Sequence, residues 1–292
     1  GVLDAGIIFV GVPDFWQQIA RGGVLLLALA FDQLAVYRRD RTRSPRASGE
    51  GPSVEAPSLE RRASRSSVAR ERGAPVITCR DLRKSYGTVT AVRGVSFSVH
   101  AGEIVCLVGD NGAGKSSVIK ILSGAVEPDE GTIEIDGKPV TIRNPRDARV
   151  QGIETAYQDL ALCPNLGSAH NLVLGDEPVK VHLGPFSLRD EARGRAIAND
   201  RLRQLGIALD DDSRPVRLLS GGQRQSVAIA RIADDDVKVV ILDEPTAALG
   251  VAQTEQVLKL VRRLADNGLA VILISHNMND VLQVADDIAC LY

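Results

Sequence analysis

The 292-residue sequence is poor in cysteine, methionine and aromatic residues: four Cys, one Met, one Trp and only 3% aromatic side chains. The cysteines, Cys79, Cys106, Cys163 and Cys290, form no CxxC pair and have no histidine at metal-ligand spacing. That argues against a zinc module or a disulfide-stapled secreted scaffold and fits a reducing cytoplasm. The one methionine is Met278, so the sequence is expected to begin inside a longer polypeptide or to have been trimmed. No signal peptide is legible, because Gly1 to Val12 has no basic flank before it and no trustworthy cleavage site. Net charge is scarce as well. With 35 Lys+Arg against 37 Asp+Glu the formal charge is -2, and the chain as a whole carries no electrostatic footprint for nucleic acid. Its length suffices for one large domain or two modest ones, each with a real core.

The charge that is present is unevenly placed. Between Arg38 and Arg72 ten arginines face five acids, whereas the flanking stretches are mildly acidic. Residues 1–37 are apolar, with Ile7 to Val10 and Gly22 to Phe31 as continuous runs, extended by Leu34, Ala35 and Val36 to Tyr37. From Ile19 to Tyr37 the run nearly reaches the ~20 apolar residues of a membrane span. Phe15 and Trp16 stand where an interfacial belt would lie, and Arg38, Arg39, Arg41, Arg43 and Arg46 follow the far end, as a cytoplasmic exit requires. A transmembrane helix is therefore expected, with an amphipathic terminal helix as the alternative. Residues 38–74 are rich in Arg, Ser, Pro and Glu with almost no large apolar side chains, the composition of a disordered linker. A patch for anionic lipid is the alternative there, and the absence of interleaved aromatics disfavours nucleic-acid binding.

From Pro75 onward, apolar runs alternate with helical patterns, which implies an α/β domain over 75–292. Gly102 to Val108, Val237 to Leu242 and Leu269 to Ile274 read as strands buried on both faces. Ser116 to Leu122 and Arg224 to Ile232 read as helices, and Ile288 to Tyr292 as a late strand. Chemistry is expected at the C-terminal ends of the buried strands.

The first such end carries Gly109-Asp110-Asn111-Gly112-Ala113-Gly114-Lys115-Ser116, followed by Ser117, a match to G-x-x-x-x-G-K-[ST] between strand and helix. Chance alone produces this pattern in roughly one chain of this length in a hundred. Glycines let the backbone wrap a polyphosphate, helical N–H groups hold its charge, Lys115 neutralises the β and γ oxygens, and Ser116 offers a hydroxyl to Mg²⁺. The second buried strand delivers Asp243 and Glu244 at its exit, two carboxylates that packing does not require. Asp243 would orient Mg²⁺ or its water and Glu244 would polarise an attacking water. Leu219-Ser220-Gly221-Gly222-Gln223 then offers a second helix start built of small residues, suited to a phosphate held by another copy of the chain.

These residues resemble the ATP-binding cassette of ABC transporters, over roughly Val76 to Tyr292 and in the family's order. The resemblance implies a P-loop α/β core with a helical subdomain, roughly between Asp159 and Gln223, and an antiparallel β subdomain. It also implies roles: Tyr86 stacks on adenine, Gln158 touches Mg²⁺ and senses the membrane partner, Ser220 to Gln223 complete the site across a dimer, and His276 contacts the γ-phosphate and positions the water. Gly152 to Leu162, Asn171-Leu172 and Ser275 to Val281 resemble the simple-sugar uptake branch of the ribose, xylose and fructose type. Gly11 to Ile19 followed by the Gly22 to Asp32 run looks like the C-terminal tail of the matching permease. The implied function is an ATPase that energises monosaccharide uptake at the cytoplasmic membrane, with its ATPase domain on the cytoplasmic side. Its implied ligands are ATP and Mg²⁺, and its implied partners a second ATPase domain, the sugar permease and a periplasmic or extracellular sugar-binding protein, without nucleic acid. The alternatives are a soluble ABC-type ATPase acting on nucleic acid or the ribosome, and an inactive gene fragment.

Three departures from the family pattern stand out. Gly250 occupies a position that is Asp in most ABC proteins, although the sugar-uptake branch often has this glycine. Asp234, Asp235 and Asp236 crowd a helix C-terminus, where negative charge is unfavourable and local strain or an unusual loop is expected. The sequence stops at Tyr292, short of the family's usual C-terminal elements.

Overall fold

The computed structural model describes residues 73–183, 186–209 and 211–292. The expected span in 1–37, the permease-like segment and the linker 38–74 lie outside the described residues. Among the described residues no helix is long and apolar enough to cross a membrane.

A five-stranded parallel sheet forms the centre. Its members are β3 (Ile104–Gly109), β6 (Ile153–Ala156), β9 (Val239–Asp243), β10 (Ala270–Ile274) and β11 (Asp287–Leu291), in spatial order β11-β3-β10-β9-β6. Every residue of β10 and all but the last of β3 and β9 are buried, as a sheet covered on both faces demands. Side chains alternate between faces, so the strands feed two cores. Cys106, Val240, Leu242, Val271 and Leu273 belong to one, together with residues of the helices α5 (Gly221–Ile232) and α6 (Val251–Asp266). Val105, Leu107, Ile241, Ile272 and Ile274 belong to the other, which includes Val118, Ile119, Ile121 and Leu122 of α1 (Lys115–Leu122). Helix α6 shows why it forms: Val257, Leu258, Leu260, Val261, Leu264 and Ala265 recur at helical spacing and are all buried.

A four-stranded antiparallel sheet covers the second core, in order β2-β1-β4-β5, from β1 (Pro75–Tyr86), β2 (Val89–His100), β4 (Glu130–Ile135) and β5 (Lys138–Val140). In β1 the buried residues Ile77 and Cys79 are followed by Leu82 rather than residue 81. Asp81 adopts a positive φ of 49° and the pairing register shifts there, so an extra residue returns Leu82 to the core face. Burial pushes the Cys79 thiol up to about 12, and burial followed by the nearby Asp286 carboxylate does the same for Cys106. Both are buried packing groups of the two cores.

The region expected to be a helical subdomain contains α3 (Ser168–Leu172), α4 (Glu191–Gln204) and a 3-10 turn at Val216–Leu218. It also holds an antiparallel hairpin of β7 (Val179–Leu183) and β8 (Phe186–Arg189) that the sequence reading did not anticipate. Helix α2 (Pro145–Val150) starts at Asn144, whose side chain caps it by accepting from the Asp147 N–H. Asp234 to Asp236 fall beyond the last turn of α5, which ends at Ile232. Arg201 of α4 lies 2.6 Å from Asp234, and Val237 N–H donates to the Asp234 carbonyl, closing a turn. Asp234 is thus paired with a remote cation. The late strand is present as β11, paired in parallel with β3, and helix α7 (Met278–Val284) precedes it.

Candidate nucleotide site

Parallel register brings the singled-out residues to one edge of the central sheet. Ile274 is level with Leu107 and with Asp243, and Leu242 is level with Ala156. The exits of β3, β10, β9 and β6 therefore lie side by side, carrying the phosphate loop, His276, Asp243 with Glu244, and Gln158 respectively.

The phosphate loop is specified by its glycines. Gly109, Gly112 and Gly114 all have positive φ, at 150°, 90° and 95°. At Gly114 a Cβ would be driven into the Ala91 carbonyl oxygen of β2, whereas at Gly112 it would meet open space. Gly114 is thus required twice, by conformation and by the close approach of the antiparallel sheet. It ends the loop as the N-cap of α1, and Val118 N–H donates to its carbonyl. Lys115 is buried, with Nζ donating to the Gly109 carbonyl at 2.5 Å and to the Asp110 carbonyl at 2.8 Å. An ammonium so enclosed must be paired, and phosphate oxygens are equally suited to accept from it. Ser116 is exposed on the first turn and Ser117 is half-buried. Asn111, also exposed, stands at the tip of the loop.

Asp243 is half-buried at the end of β9. Burial, then the adjacent Glu244 carboxylate, raise its pKa, and the Lys115 ammonium opposes them. A carboxylate in that condition favours a cation. Among the described residues no cluster of three His, Cys, Asp or Glu forms a metal cage. A single carboxylate with the Ser116 hydroxyl is the donor set that suits Mg²⁺, an ion that keeps several waters and shares substrate phosphates. The residues present therefore fit MgATP.

Glu244 sits in left-handed backbone, φ 49°, uncommon for a residue with a side chain. Its N–H donates to the Ile274 carbonyl at 3.0 Å. His276 lies two residues beyond, and its Nδ1 is 3.1 Å from Glu244 Oε1. A carboxylate and an imidazole at this separation can share or orient a proton of a bound water. Gln158 is exposed just past β6. The segment after it is held at Ala161, φ 49°, whose carbonyl accepts from Arg231 Nη1 in the last turn of α5 at 2.6 Å. Buried Asn171 holds the following stretch by accepting from Cys163 N–H and donating to the carbonyls of Cys163, Leu166 and Gly167.

The second helix start is intact. Ser220 caps α5: its Oγ accepts from Gln223 N–H at 3.2 Å, while Gln223 Oε1 accepts from Ser220 N–H at 3.0 Å. The helix begins at Gly221, three residues before the expected start at Arg224. A Cβ on Gly222 would crowd Gln253 of α6, and one on Gly221 would crowd Leu249. The small residues thus serve close packing between α5 and the segment after Glu244. Tyr86 ends β1, 42% exposed, with Lys84 Nζ 6.0 Å from its ring centroid. It stands on the same hairpin whose second strand backs Gly114. Gly250 has φ -74° and ψ 161°, with nothing within 4 Å of a Cβ built there. Any side chain would fit, so the backbone does not explain this glycine.

Thr246 and Arg231 have no role in the sequence reading, and Asp280 enters it only as part of the Ser275 to Val281 resemblance. Thr246 bonds to Asp280 34 positions away and Arg231 to the Ala161 carbonyl 70 positions away, separations that no local pattern signals.

A phosphate loop on β3, acids on β9 and one strand between them define a P-loop nucleotide hydrolase, and the capped second helix start narrows the class to cassette ATPases. A family profile described as ABC transporter matches residues 92–247. The chain is 49% identical over 217 residues to the fructose import ATP-binding protein FrcA of Rhizobium meliloti, covering 73% of this chain and 84% of that protein. It is 44% identical over 217 residues to the xylose/arabinose import ATP-binding protein XylG of Sulfolobus acidocaldarius, covering 74% and 84%. With the ribose import ATP-binding protein RbsA 2 of Streptomyces avermitilis it shares 39% over 218 residues, 75% of this chain but only 42% of that protein. Among solved structures it is similar to the ADP conformation of MJ1267, an ATP-binding cassette of an ABC transporter. There the TM-score is 0.67 at 24% identity, over 75% of this chain and 88% of that one. The chain belongs to the ABC transporter family as one of its ATP-binding, ATP-hydrolysing subunits.

Proposed function

We propose that the chain energises import of a simple sugar. Similarity to the fructose and xylose/arabinose import proteins over most of their length supports this reading. In it, residues 75–292 are the ATPase domain on the cytoplasmic side of the membrane, joined through 38–74 to a permease-like segment at 1–37. Two ATPase domains pair so that the Ser220 to Gln223 helix start of one meets the nucleotide on the phosphate loop of the other. Permease and sugar-binding protein complete the transporter.

The observation that carries the hydrolytic part is the meeting of Glu244 and His276 beside the phosphate loop. Main-chain N–H groups of the phosphate loop and the start of α1 hold the charge of the polyphosphate, and Lys115 turns from the Gly109 and Asp110 carbonyls to the β and γ oxygens. Ser116, Asp243 and Gln158 would hold Mg²⁺, which would offset charge on the transferred phosphoryl group. Tyr86 stacks on the adenine. Glu244 accepts a hydrogen bond from water and aligns it with the γ-phosphorus, and His276 steadies the γ-phosphate. The water oxygen forms a bond to phosphorus as the bond to the β-γ bridging oxygen breaks, and ADP and inorganic phosphate leave. Positioning and electrostatics supply most of the rate.

The test is uptake in proteoliposomes that carry this chain with a sugar permease and binding protein of the fructose, xylose or ribose type. MgATP-dependent accumulation of one labelled sugar, lost with Glu244→Gln, is expected. ATP hydrolysis that none of the sugars couples to uptake would overturn the sugar reading.

A further inference from the structure

A buried carboxylate beside the site has no part in the hydrolytic steps above. Asp280, in the first turn of α7, is 4% exposed. Its Oδ2 accepts from Thr246 Oγ1 at 2.7 Å and its Oδ1 from Asn277 Nδ2 at 3.0 Å. Its own N–H donates to the Asn277 carbonyl at 3.1 Å. Asn277 in turn accepts from Asn279 N–H at 3.0 Å, fixing the start of the helix.

The two donors stand at telling places. Thr246 follows Glu244 by two residues on the loop leaving β9, and Asn277 follows His276 directly on the loop leaving β10. One carboxylate therefore joins the loops that carry the two groups facing each other 3.1 Å apart. The backbone already ties these loops upstream, through Glu244 N–H and the Ile274 carbonyl. Asp280 ties them downstream, so the Glu244 and His276 side chains lie between two cross-links. His276 itself is exposed, and packing alone does not fix its ring.

A carboxylate removed from water needs its hydrogen bonds, and an apolar side chain would fill the same space at less cost. We propose that Asp280 is a positioning residue for hydrolysis, holding the Glu244 and His276 loops in register through Thr246 and Asn277. It touches neither substrate nor the reacting atoms. The inference rests on the hydrolytic reading above for its kinetic consequence, and on geometry alone for the placement of His276. A misplacement of about 1 Å is enough to lower turnover by about 100-fold, and the loss is expected in kcat because the phosphate loop that binds the nucleotide is not part of this link.

The experiment uses the full chain with Thr246→Val, Thr246→Ser and Asp280→Ala. It measures steady-state MgATP hydrolysis, thermal melting and the imidazole NMR resonances, with the His276 signal assigned by its loss in His276→Gln. Thr246→Val, which keeps the side-chain shape, is expected to lower kcat by about 10- to 100-fold with KM for MgATP within about twofold. The His276 resonance is expected to move, and Thr246→Ser to restore both. Asp280→Ala is expected to act in the same direction; should it not fold, Thr246→Val decides. Unchanged kcat, a rise in KM matching the fall in kcat, a Thr246→Ser variant as impaired as Thr246→Val, or an unmoved His276 resonance would each overturn the proposal. If the wild-type chain does not hydrolyse MgATP, the hydrolytic reading fails by itself. The His276 resonance then still judges the link: its movement in Thr246→Val supports it and its constancy refutes it.

Discussion

Glu244 Oε1 and His276 Nδ1 lie 3.1 Å apart although 32 positions separate them in the chain. Parallel pairing of β9 with β10 makes the meeting inevitable: Asp243 is level with Ile274, so the next residues of both strands leave the sheet together. Glu244 then takes a left-handed turn, φ 49°, that folds its carboxylate back toward the neighbouring loop. Strain of this kind costs of order 1–3 kcal/mol and persists where the surroundings enforce it; here the Ile274 carbonyl does so by accepting the Glu244 N–H.

Replacing Glu244 by Gln keeps that backbone and removes the charge that aligns water. Hydrolysis is expected to fall by at least about 100-fold while MgATP binding persists. If paired domains share the nucleotide, the variant accumulates as a dimer in MgATP on gel filtration and the wild type does not. A Glu244→Gln chain that hydrolyses ATP within tenfold of wild type would remove Glu244 from the mechanism.

The two inner glycines of the phosphate loop are expected to respond differently to a methyl group. Gly112→Ala meets open space and pays only for its φ of 90°, about 1–2 kcal/mol. Gly114→Ala adds a collision with the Ala91 carbonyl. Calorimetry should show a melting temperature lowered by roughly 2–8 °C for Gly112→Ala. Gly114→Ala is expected to lose more and to abolish nucleotide binding. Equal effects would mean that the close approach of β2 does not constrain the loop.

Ser220 combines a local and a proposed intermolecular role, and two variants separate them. Ser220→Ala removes an N-cap, at a cost of about 1 kcal/mol. Ser220→Asp keeps a capping oxygen but places negative charge where a partner's phosphate is expected, so stability should be nearly retained while hydrolysis and MgATP-dependent dimerisation fall at least tenfold by electrostatic repulsion. Full activity in Ser220→Asp, measured beside its melting curve, would refute the shared site.

How much of this was legible beforehand depends on how local the cause is. The buried strands and the phosphate loop follow from contiguous residues, and their positions were read to within two residues: Ile104–Gly109 against an expected 102 to 108, and Ala270–Ile274 against 269 to 274. The hairpin over Val179–Leu183 and Phe186–Arg189 was missed although V-K-V-H-L and F-S-L-R alternate on either side of a Gly-Pro dipeptide in the sequence; its strands are short, and the family expectation of helices overrode the period-2 signal. The three acids at 234 to 236 looked like strain because the cation that pairs with the first of them, Arg201 on Asp234, stands some thirty residues earlier. Asp280 enters the sequence reading only within the Ser275 to Val281 resemblance, with no role of its own. In Met278-Asn279-Asp280-Val281 it reads as an ordinary first-turn acid, and only its Thr246 partner, 34 positions away, marks it as buried and bonded.

Asp243 offers a test whose sign can be worked out. Its pKa lies above the ordinary 3.8 because burial, and then Glu244, penalise the ionised form more than Lys115 favours it. Relative to the unfolded chain, the folded state therefore prefers the protonated acid. The stability this group contributes is full below its unfolded pKa, is lost as pH rises through the higher folded value, and at pH 7 the charge is a net cost. Asp243→Asn keeps the shape and removes that charge. Without Mg²⁺ and nucleotide, its melting temperature at pH 7 should exceed the wild type's by on the order of 1–3 °C, since the carboxylate is partly solvated and screened. The difference should shrink as pH falls and vanish near pH 3, where wild-type Asp243 is itself neutral. Adding MgATP should reverse the order, stabilising the wild type more than the variant, which lacks the anionic ligand for the ion. A variant less stable than wild type at pH 7 without ligand would show that Lys115 outweighs burial, making Asp243 a structural ion-pair partner rather than a carboxylate held at a cost for a cation.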